Sequence, residues 1–371
     1  MNSLVETMVD AAWLDVTKKM ERTSGRIGDT FPHVSVNGRY DDNELDWWTN
    51  GFWPGILWML HQETGNPVYR QIAESCENKL DMPLQDFEPL HHDVGFMWSL
   101  SAVASYKLTG NALSKRRALT AASHLAGRFN SKGNFIRAWN GTGKEGWAII
   151  DCLMNLPLLF WASETTGDPR FKHIAQAHAD TVMREFLQED GSVHHVVVFD
   201  PETGLRVGAL GGQGYSAFSA WSRGAAWAVY GLTLAYGYTQ NQSYLDKAIE
   251  VSQYVLKNLP ADSVPPWDFK AAEDQIWAKD SSAAACLASG LLEIAKHSHG
   301  EIAEHCHRSA CDIMQSLYSN YFSHDSDEEG LLKKATVSFP DNRHIEVPVI
   351  YGDYFFIEAL LKLKGRQTLF W

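Results

Sequence analysis

Apolar residues recur along this chain with the spacing of one helical face, and the pattern predicts helices over 4–21, 51–63, 67–80, 95–108, 112–128, 149–165, 169–187, 223–238, 243–258, 281–298, 301–319 and 353–364. Four of the junctions between them share one signature: Thr64-Gly65-Asn66, Thr109-Gly110-Asn111, Thr166-Gly167-Asp168 and the degenerate Thr239-Gln240-Asn241. Each ends one helix with glycine or a polar equivalent and starts the next with a capping side chain. The chain therefore reads as helix hairpins joined by short turns.

Twelve helices in six hairpins, with no Pro/Gly/Ser-rich linker in 1–371, predict an all-α fold in which a single domain closes into an α/α toroid with the more apolar helices inside. The irregular segments 22–50, 81–94, 129–148, 188–222 and 259–280 fall between hairpins and are expected at one mouth, where loops on a rigid scaffold carry function. Within them, β-branched alternation at 191–210 around the turn Asp200-Pro201-Glu202-Thr203-Gly204 predicts a small β-hairpin.

The stretch Ile149–Ala162 is apolar on every side yet contains Asp151 and Asn155, which helical spacing places on one face. A carboxyl buried there has its pKa pushed upward, which suits proton donation near neutral pH; capping or a backbone contact would place an aspartate there equally well. Pro157 implies a kink or a late helix start. Asp93, in His91-His92-Asp93-Val94-Gly95-Phe96, precedes a helix and fits an N-cap or a residue facing substrate. Asp93 and Asp151 are the two aspartates with helical scaffolds and apolar surroundings, and paired carboxylates near aromatic residues suggest glycoside hydrolysis.

The aromatic residues come from several stretches: Trp47, Trp48 and Trp53 around Asn50-Gly51, Trp139 in the loop before Asp151, and Trp227 in the run Trp221–Trp227. They fit core packing or a stacking wall for sugars. Arg223 and Trp227 share a helical face, and Arg223 could stack on tryptophan or hold a carboxylate with its bidentate fork. His194-His195 falls on the expected hairpin, and Gln213 in a glycine-rich loop beside it.

A net charge of −13 with no sustained basic run argues against nucleic acid and anionic membrane partners, so an acidic substrate would need local cations. The N-terminal stretch has neither a basic leader nor a signal-type apolar core, and no window approaches a membrane span. Five scattered cysteines form no disulfide framework, and cytoplasmic localisation is expected. The His297, His299, His305, Cys306, His307 and Cys311 cluster matches no common zinc spacing, and no metal is expected.

The motifs WTNGFWPG at 48–55, HHDVGF at 91–96, IIDCLMNLPLLFWA at 149–162 and W-x-R-G-x-x-W at 221–227 resemble the unsaturated glucuronyl hydrolases, glycoside hydrolase family 88. Similarity continues through 280–295 and 351–363, and so covers nearly the whole chain. The resemblance implies an (α/α)6 barrel that needs no cofactor and acts on the non-reducing end of oligosaccharides, chiefly disaccharides, left by polysaccharide lyases. It implies Asp151 as the general acid/base that hydrates the C4=C5 bond of an unsaturated uronate, with Asp93 as its partner. By the same resemblance Trp48 and Trp227 would stack on sugar, and His92, His195, Gln213 and Arg223 would bind the ring and carboxylate; Trp139 is a further candidate for binding substrate. Related unsaturated rhamnogalacturonyl hydrolases and sugar epimerases on similar barrels are the alternatives. The chain departs from the family pattern at Gly212, Ala217, Ala225 and Val337, four expected mouth positions where a polar or aromatic residue is replaced. A neighbour sugar different from that of glycosaminoglycan-degrading members follows as an expectation.

Overall fold

The computed structural model describes residues 3–325, 327–366 and 370–371. Its helices are α1 Ser3–Ile27, α2 Phe52–Thr64, α3 Pro67–Lys79, α4 Asp81–Asp86, α5 Val94–Trp98, α6 Ala104–Thr109, α7 Ala112–Gly127, α8 Leu156–Thr166, α9 Pro169–Glu185, α10 Ser222–Thr239, α11 Gln242–Asn258, α12 Ser281–His297, α13 Gly300–Ser316 and α14 Ile350–Leu363. Helices α2, α5 with α6, α8, α10, α12 and α14 form the inner ring. Residues Phe52 to Leu60 of α2 and Leu156 to Ser163 of α8 are buried without a break, as a helix surrounded by others must be. The outer helices bury one stripe only: in α9 it is Phe171, Ala175, His178, Ala179 and Val182. The ring closes where α14 packs on both α12 and α2, and α1 supplies the outer partner of α14, so the sixth pair joins the two ends of the sequence.

The repeated junction is a device of three side-chain roles. Gly65, Gly110, Gly167 and Gln240 each take a left-handed conformation that ends the inner helix. The next residue, Asn66, Asn111, Asp168 or Asn241, caps the outer helix by accepting from a backbone N–H two residues on. The threonine before the pair, at 64, 109, 166 or 239, donates its hydroxyl to the last turn of the inner helix, and its oxygen accepts the N–H of the capping residue at 3.2 Å. Orphan groups of both helices are thereby satisfied by three consecutive residues.

Two predicted helices are broken. The segment 95–108 is interrupted by a π turn at Ser99–Val103. The segment 149–165 is not one helix: Trp147–Ile149 is a strand, Ile150–Met154 a 3-10 turn, and α8 begins at Leu156 with Pro157 near its N-terminus. Proline lacks the N–H that a continuing helix would need, which puts the start late. Two two-stranded pieces, β1 Ser35–Val36 with β2 Arg39–Tyr40 and β3 Phe129–Asn130 with β4 Phe135–Ile136, lie in the connecting segments. The expected hairpin is β6 Val196–Phe199 with β7 Arg206–Leu210, and the strand β5 Trp147–Ile149 adds to it in the order β5-β6-β7.

The end of the ring away from these strands is filled by Trp371, whose Nε1 donates to the buried Glu358 at 2.7 Å and whose ring lies parallel to Phe355. No helix among the described residues is long and apolar enough to cross a membrane.

Candidate active site

The antiparallel pairing of β5 with β6 sets Ile149 opposite Val196, and the Ile150 N–H donates to the His195 carbonyl at 3.0 Å. Asp151 and His195 therefore emerge side by side at the mouth, with His195 Nε2 3.6 Å from Asp151 Oδ1. Asp93 arrives from the other direction, one residue before α5, and its side chain caps nothing there. Its carboxylate lies 3.3 Å from His91 Nδ1 and 3.3 Å from His92 Nε2, and accepts from Asn155 Nδ2 at 3.2 Å. The same amide nitrogen donates to the Asp151 carbonyl at 3.3 Å, while Asn155 Oδ1 accepts the Phe96 N–H at 2.8 Å. Gly95 makes that approach possible, because a Cβ there would sit 2.4 Å from Asn155 Cα.

The two carboxyls are driven apart in acidity. Burial, then the negative charge of Asp93, raise the Asp151 pKa from 3.8 to about 7, only partly opposed by Arg223. For Asp93, burial acts against the charge, but His92, His91 and the Asn155 amide outweigh it and hold the carboxyl below its ordinary value. Near neutrality one group can give a proton while its neighbour stays ionised. Burial lowers the His92 pKa to about 4 and the His195 pKa to about 3, so both rings are neutral. The Gln213 N–H donates to His195 Nδ1 at 2.9 Å, the Gly211 carbonyl lies 3.3 Å from the same nitrogen, and Nε2 is on the side of Asp151.

A cavity of about 410 Å³ opens at this point. Asp93, Asp151, Trp48, Trp139, Gln213 and Arg223 line it, together with His33, Trp47, His91, Lys144, Val337, Ser338, Asp341 and Arg343. His195 is buried against the wall, its ring 4.3 Å from that of Trp221 and 6.1 Å from that of Trp139. His92 is fully buried behind Asp93. Trp227 does not reach the wall: it is fully buried between Phe96 and Phe355, so the geometry gives it a packing role and not the stacking one expected. Its inner helix turns position 227 toward the ring axis, below the mouth.

Arg223 borders the cavity, but its guanidinium is already engaged. It pairs with Asp280 and donates to the carbonyls of Thr336 and Val337, each at 2.8 Å, and it stacks near Trp221 and Tyr351. Gln213 Nε2 likewise donates to the Val337 carbonyl at 2.6 Å. Both side chains thus hold the 336–338 segment against the site. Lys144, over the rings of Trp139 and Trp147, and the exposed Arg343 are lining cations that have no acidic partner among the described residues.

Several positions were not apparent from sequence. Lys144, His33, Ser338, Asp341 and Arg343 belong to no motif and reach the cavity only through loop packing. Arg128 donates to the carbonyls of Leu90, Arg137 and Ala138 and so ties the Asp93 loop to the Trp139 loop. Of the four departures, Val337 lines the cavity, whereas Ala225 is fully buried in α10, which removes it from the expected set of mouth positions. Gly212 lies against the His195 ring, and the Ala217 carbonyl accepts from His194.

The His297–Cys311 group does not converge on a metal-ligand arrangement. Among the described residues, the trio that does is His91, His92 and Asp93, with ligand atoms within 4.8 Å of one another. The hydrogen-bonding environment of Asp93 already accounts for that convergence.

An α/α toroid whose mouth cavity pairs a protonated with an ionised carboxyl among tryptophans defines a glycosidase site. A model of Glycosyl Hydrolase Family 88 matches residues 19–343, and the chain belongs to this family. It is 37% identical over 358 residues to the unsaturated glucuronyl hydrolase of Bacillus sp. (strain GL1), with 94% of this chain and 95% of the relative covered. It is 35% identical over 335 residues to the unsaturated chondroitin disaccharide hydrolase of Streptococcus pneumoniae (strain ATCC BAA-255 / R6), covering 87% and 83%. The crystal structure of the Bacillus sp. GL1 enzyme superposes with a TM-score of 0.94 at 35% identity, over 98% of this chain and 99% of that one. A mutant unsaturated glucuronyl hydrolase from Streptococcus agalactiae complexed with dGlcA-GalNAc6S matches with a TM-score of 0.86 at 27% identity, covering 99% and 93%. These relatives support the glucuronyl hydrolase reading over the rhamnogalacturonyl and epimerase alternatives.

Proposed function

We propose that this glycosidase removes a 4,5-unsaturated uronic acid from the non-reducing end of lyase-generated oligosaccharides, with the whole of 1–371 acting as one catalytic unit. The observation that carries the proposal is the divided acidity of Asp151 and Asp93 on one cavity wall. Protonated Asp151 gives its proton to C4 of the enol ether, and positive charge develops at C5 beside the ring oxygen. The resulting Asp151 carboxylate takes a proton from the water that adds to C5. The hemiketal so formed opens, and the neighbouring sugar is released as the aglycone. Asp93, ionised, binds ring hydroxyls and keeps the Asp151 pKa high. His195 turns its Nε2 toward Asp151, and Trp48 and Trp139 offer flat faces to the sugars.

The same reading accounts for the cations. The chain is acidic overall, yet Lys144 and Arg343 stand at the cavity without acidic partners among the described residues, where a carboxylate or sulfate could be met. The five cysteines are free and buried, which suits action in the reducing cytoplasm on imported fragments. Incubation with unsaturated disaccharides from chondroitin, hyaluronan, heparin, ulvan and pectin tests the proposal. Absorbance of the conjugated C=C–COO⁻ group falls with at least one of them, and saturated glucuronides remain inert. Cleavage of a saturated glycoside at a comparable rate overturns the hydration chemistry.

A further inference from the structure

Beside the cavity, and outside it, an aromatic surface has no role in the reaction described above. Val337 and Ser338 line the cavity. The next residue outward, Phe339, stacks face to face on the buried Trp267, with ring centroids 4.6 Å apart and planes 10° from parallel. Trp277 then stands edge-on to Phe339 at 5.8 Å and is 56% exposed. The loop that carries this indole is fixed by hydrogen bonds. Trp267 Nε1 donates to the Gln275 carbonyl at 3.1 Å, and the Trp267 N–H donates to the Ala278 carbonyl at 2.9 Å. The backbone is thus tied on both sides of Trp277 by one buried residue, while Lys279 is anchored to Asp262 and the Val264 carbonyl. The side chain is held out in a preset position, which removes much of the ordering cost of binding.

We propose that Trp277 and Phe339 form an outer subsite that binds the third sugar of a substrate longer than a disaccharide. This rests on the unsaturated-uronate reading, which puts the first sugar at Asp151, in the cavity that Val337 and Ser338 also line. One residue further along the backbone lies Phe339, and the Trp277 ring stands 5.8 Å beyond it. The chemistry of the subsite is that of a neutral pyranose. Glu273 and Asp274 are exposed on the same loop as Trp277, and Lys279 on that loop is paired with Asp262. The indole of Trp277 and the ring of Phe339 offer no charged group of their own, and a neutral ring can lay its C–H face on the indole.

The test compares dGlcA-Glc-Rha-Glc with dGlcA-Glc, which share the cleaved linkage, in the parent enzyme and in Trp277→Ala and Trp277→Phe. Trp277→Ala raises KM for the tetrasaccharide by roughly two- to tenfold, the range of one aromatic contact. It leaves kcat on both substrates and KM for the disaccharide unchanged, and Trp277→Phe restores most of the loss. An equal tetrasaccharide-to-disaccharide ratio of kcat/KM in parent and Trp277→Ala overturns the subsite while leaving the proposed function standing. Failure of the parent enzyme on both these compounds and on every other unsaturated uronate overturns the proposed function, and the subsite with it.

Discussion

Asn155 Nδ2 donates to Asp93 Oδ1 at 3.2 Å, and through that bond an asparagine at the head of α8 locks the carboxylate delivered by the opposite loop. Asn155 is fully buried, so each bond it makes replaces one that water cannot supply. Asn155→Ala leaves the Phe96 N–H without its partner and withdraws one donor from Asp93. Each uncompensated buried group costs about 1–3 kcal/mol. A drop of several degrees in melting temperature is expected, with a weakened kcat, and thermal unfolding beside steady-state kinetics reads both.

Asp151→Asn keeps the shape and loses the proton. A general acid–base group contributes about 10² to 10⁴ in rate. Loss of activity in that range with an unaltered circular dichroism spectrum is the expected outcome, and kcat within a few-fold of the parent makes Asp151 structural.

The pH profile carries the sign of the pairing. Asp151 must be protonated to act, so kcat/KM falls as pH rises through about 7. Asp93→Asn removes the like charge that helps hold that pKa up, and the alkaline limb shifts to lower pH in the residual activity. A limb that stays in place shows that burial alone sets the Asp151 pKa.

Stability follows the same group in the opposite sense. A carboxyl raised from 3.8 to about 7 on folding stabilises the protein fully below pH 3.8, and that contribution is lost as pH climbs to about 7. Each pKa unit corresponds to about 1.4 kcal/mol. Asp151→Asn is therefore expected to melt at a higher temperature than the parent at pH 8, with the gap closing toward pH 4. Calorimetry at the two pH values measures it.

Arg223→Lys tests whether the guanidinium serves the fold as well as the substrate. Lysine retains a charge near Asp280 but cannot also reach both the Thr336 and Val337 carbonyls in the planar fork. The melting temperature falls and KM rises together. A higher KM with unchanged stability assigns Arg223 to the substrate alone. Arg343→Ala, by contrast, touches an exposed side chain: KM rises, its salt dependence weakens, and stability does not move.

The sequence by itself determined the helical ring. Each inner helix is apolar on all sides, each outer helix on one, and the Thr-Gly-Asn turns join them with bonds made within a few residues, so local chemistry is enough to read them. Asp151 and Asp93 were legible for a related reason: a carboxylate set in a run of core residues is costly unless something needs it there. Tertiary structure alone decided the rest. Ile149 reads as helical from its apolar neighbours, but pairing with Val196, distant in sequence, makes it a strand, and that pairing sets Asp151 beside His195. Trp227 has the same local signature as a wall tryptophan, and only the closure of the ring turns it into the core. Arg223 looked free to hold a substrate carboxylate until Asp280 and the 336–337 carbonyls, brought in by later loops, took up its donors. Hydrophobic periodicity is a property of neighbours along the chain, whereas a site is assembled by contacts between loops whose separation in sequence no local pattern encodes.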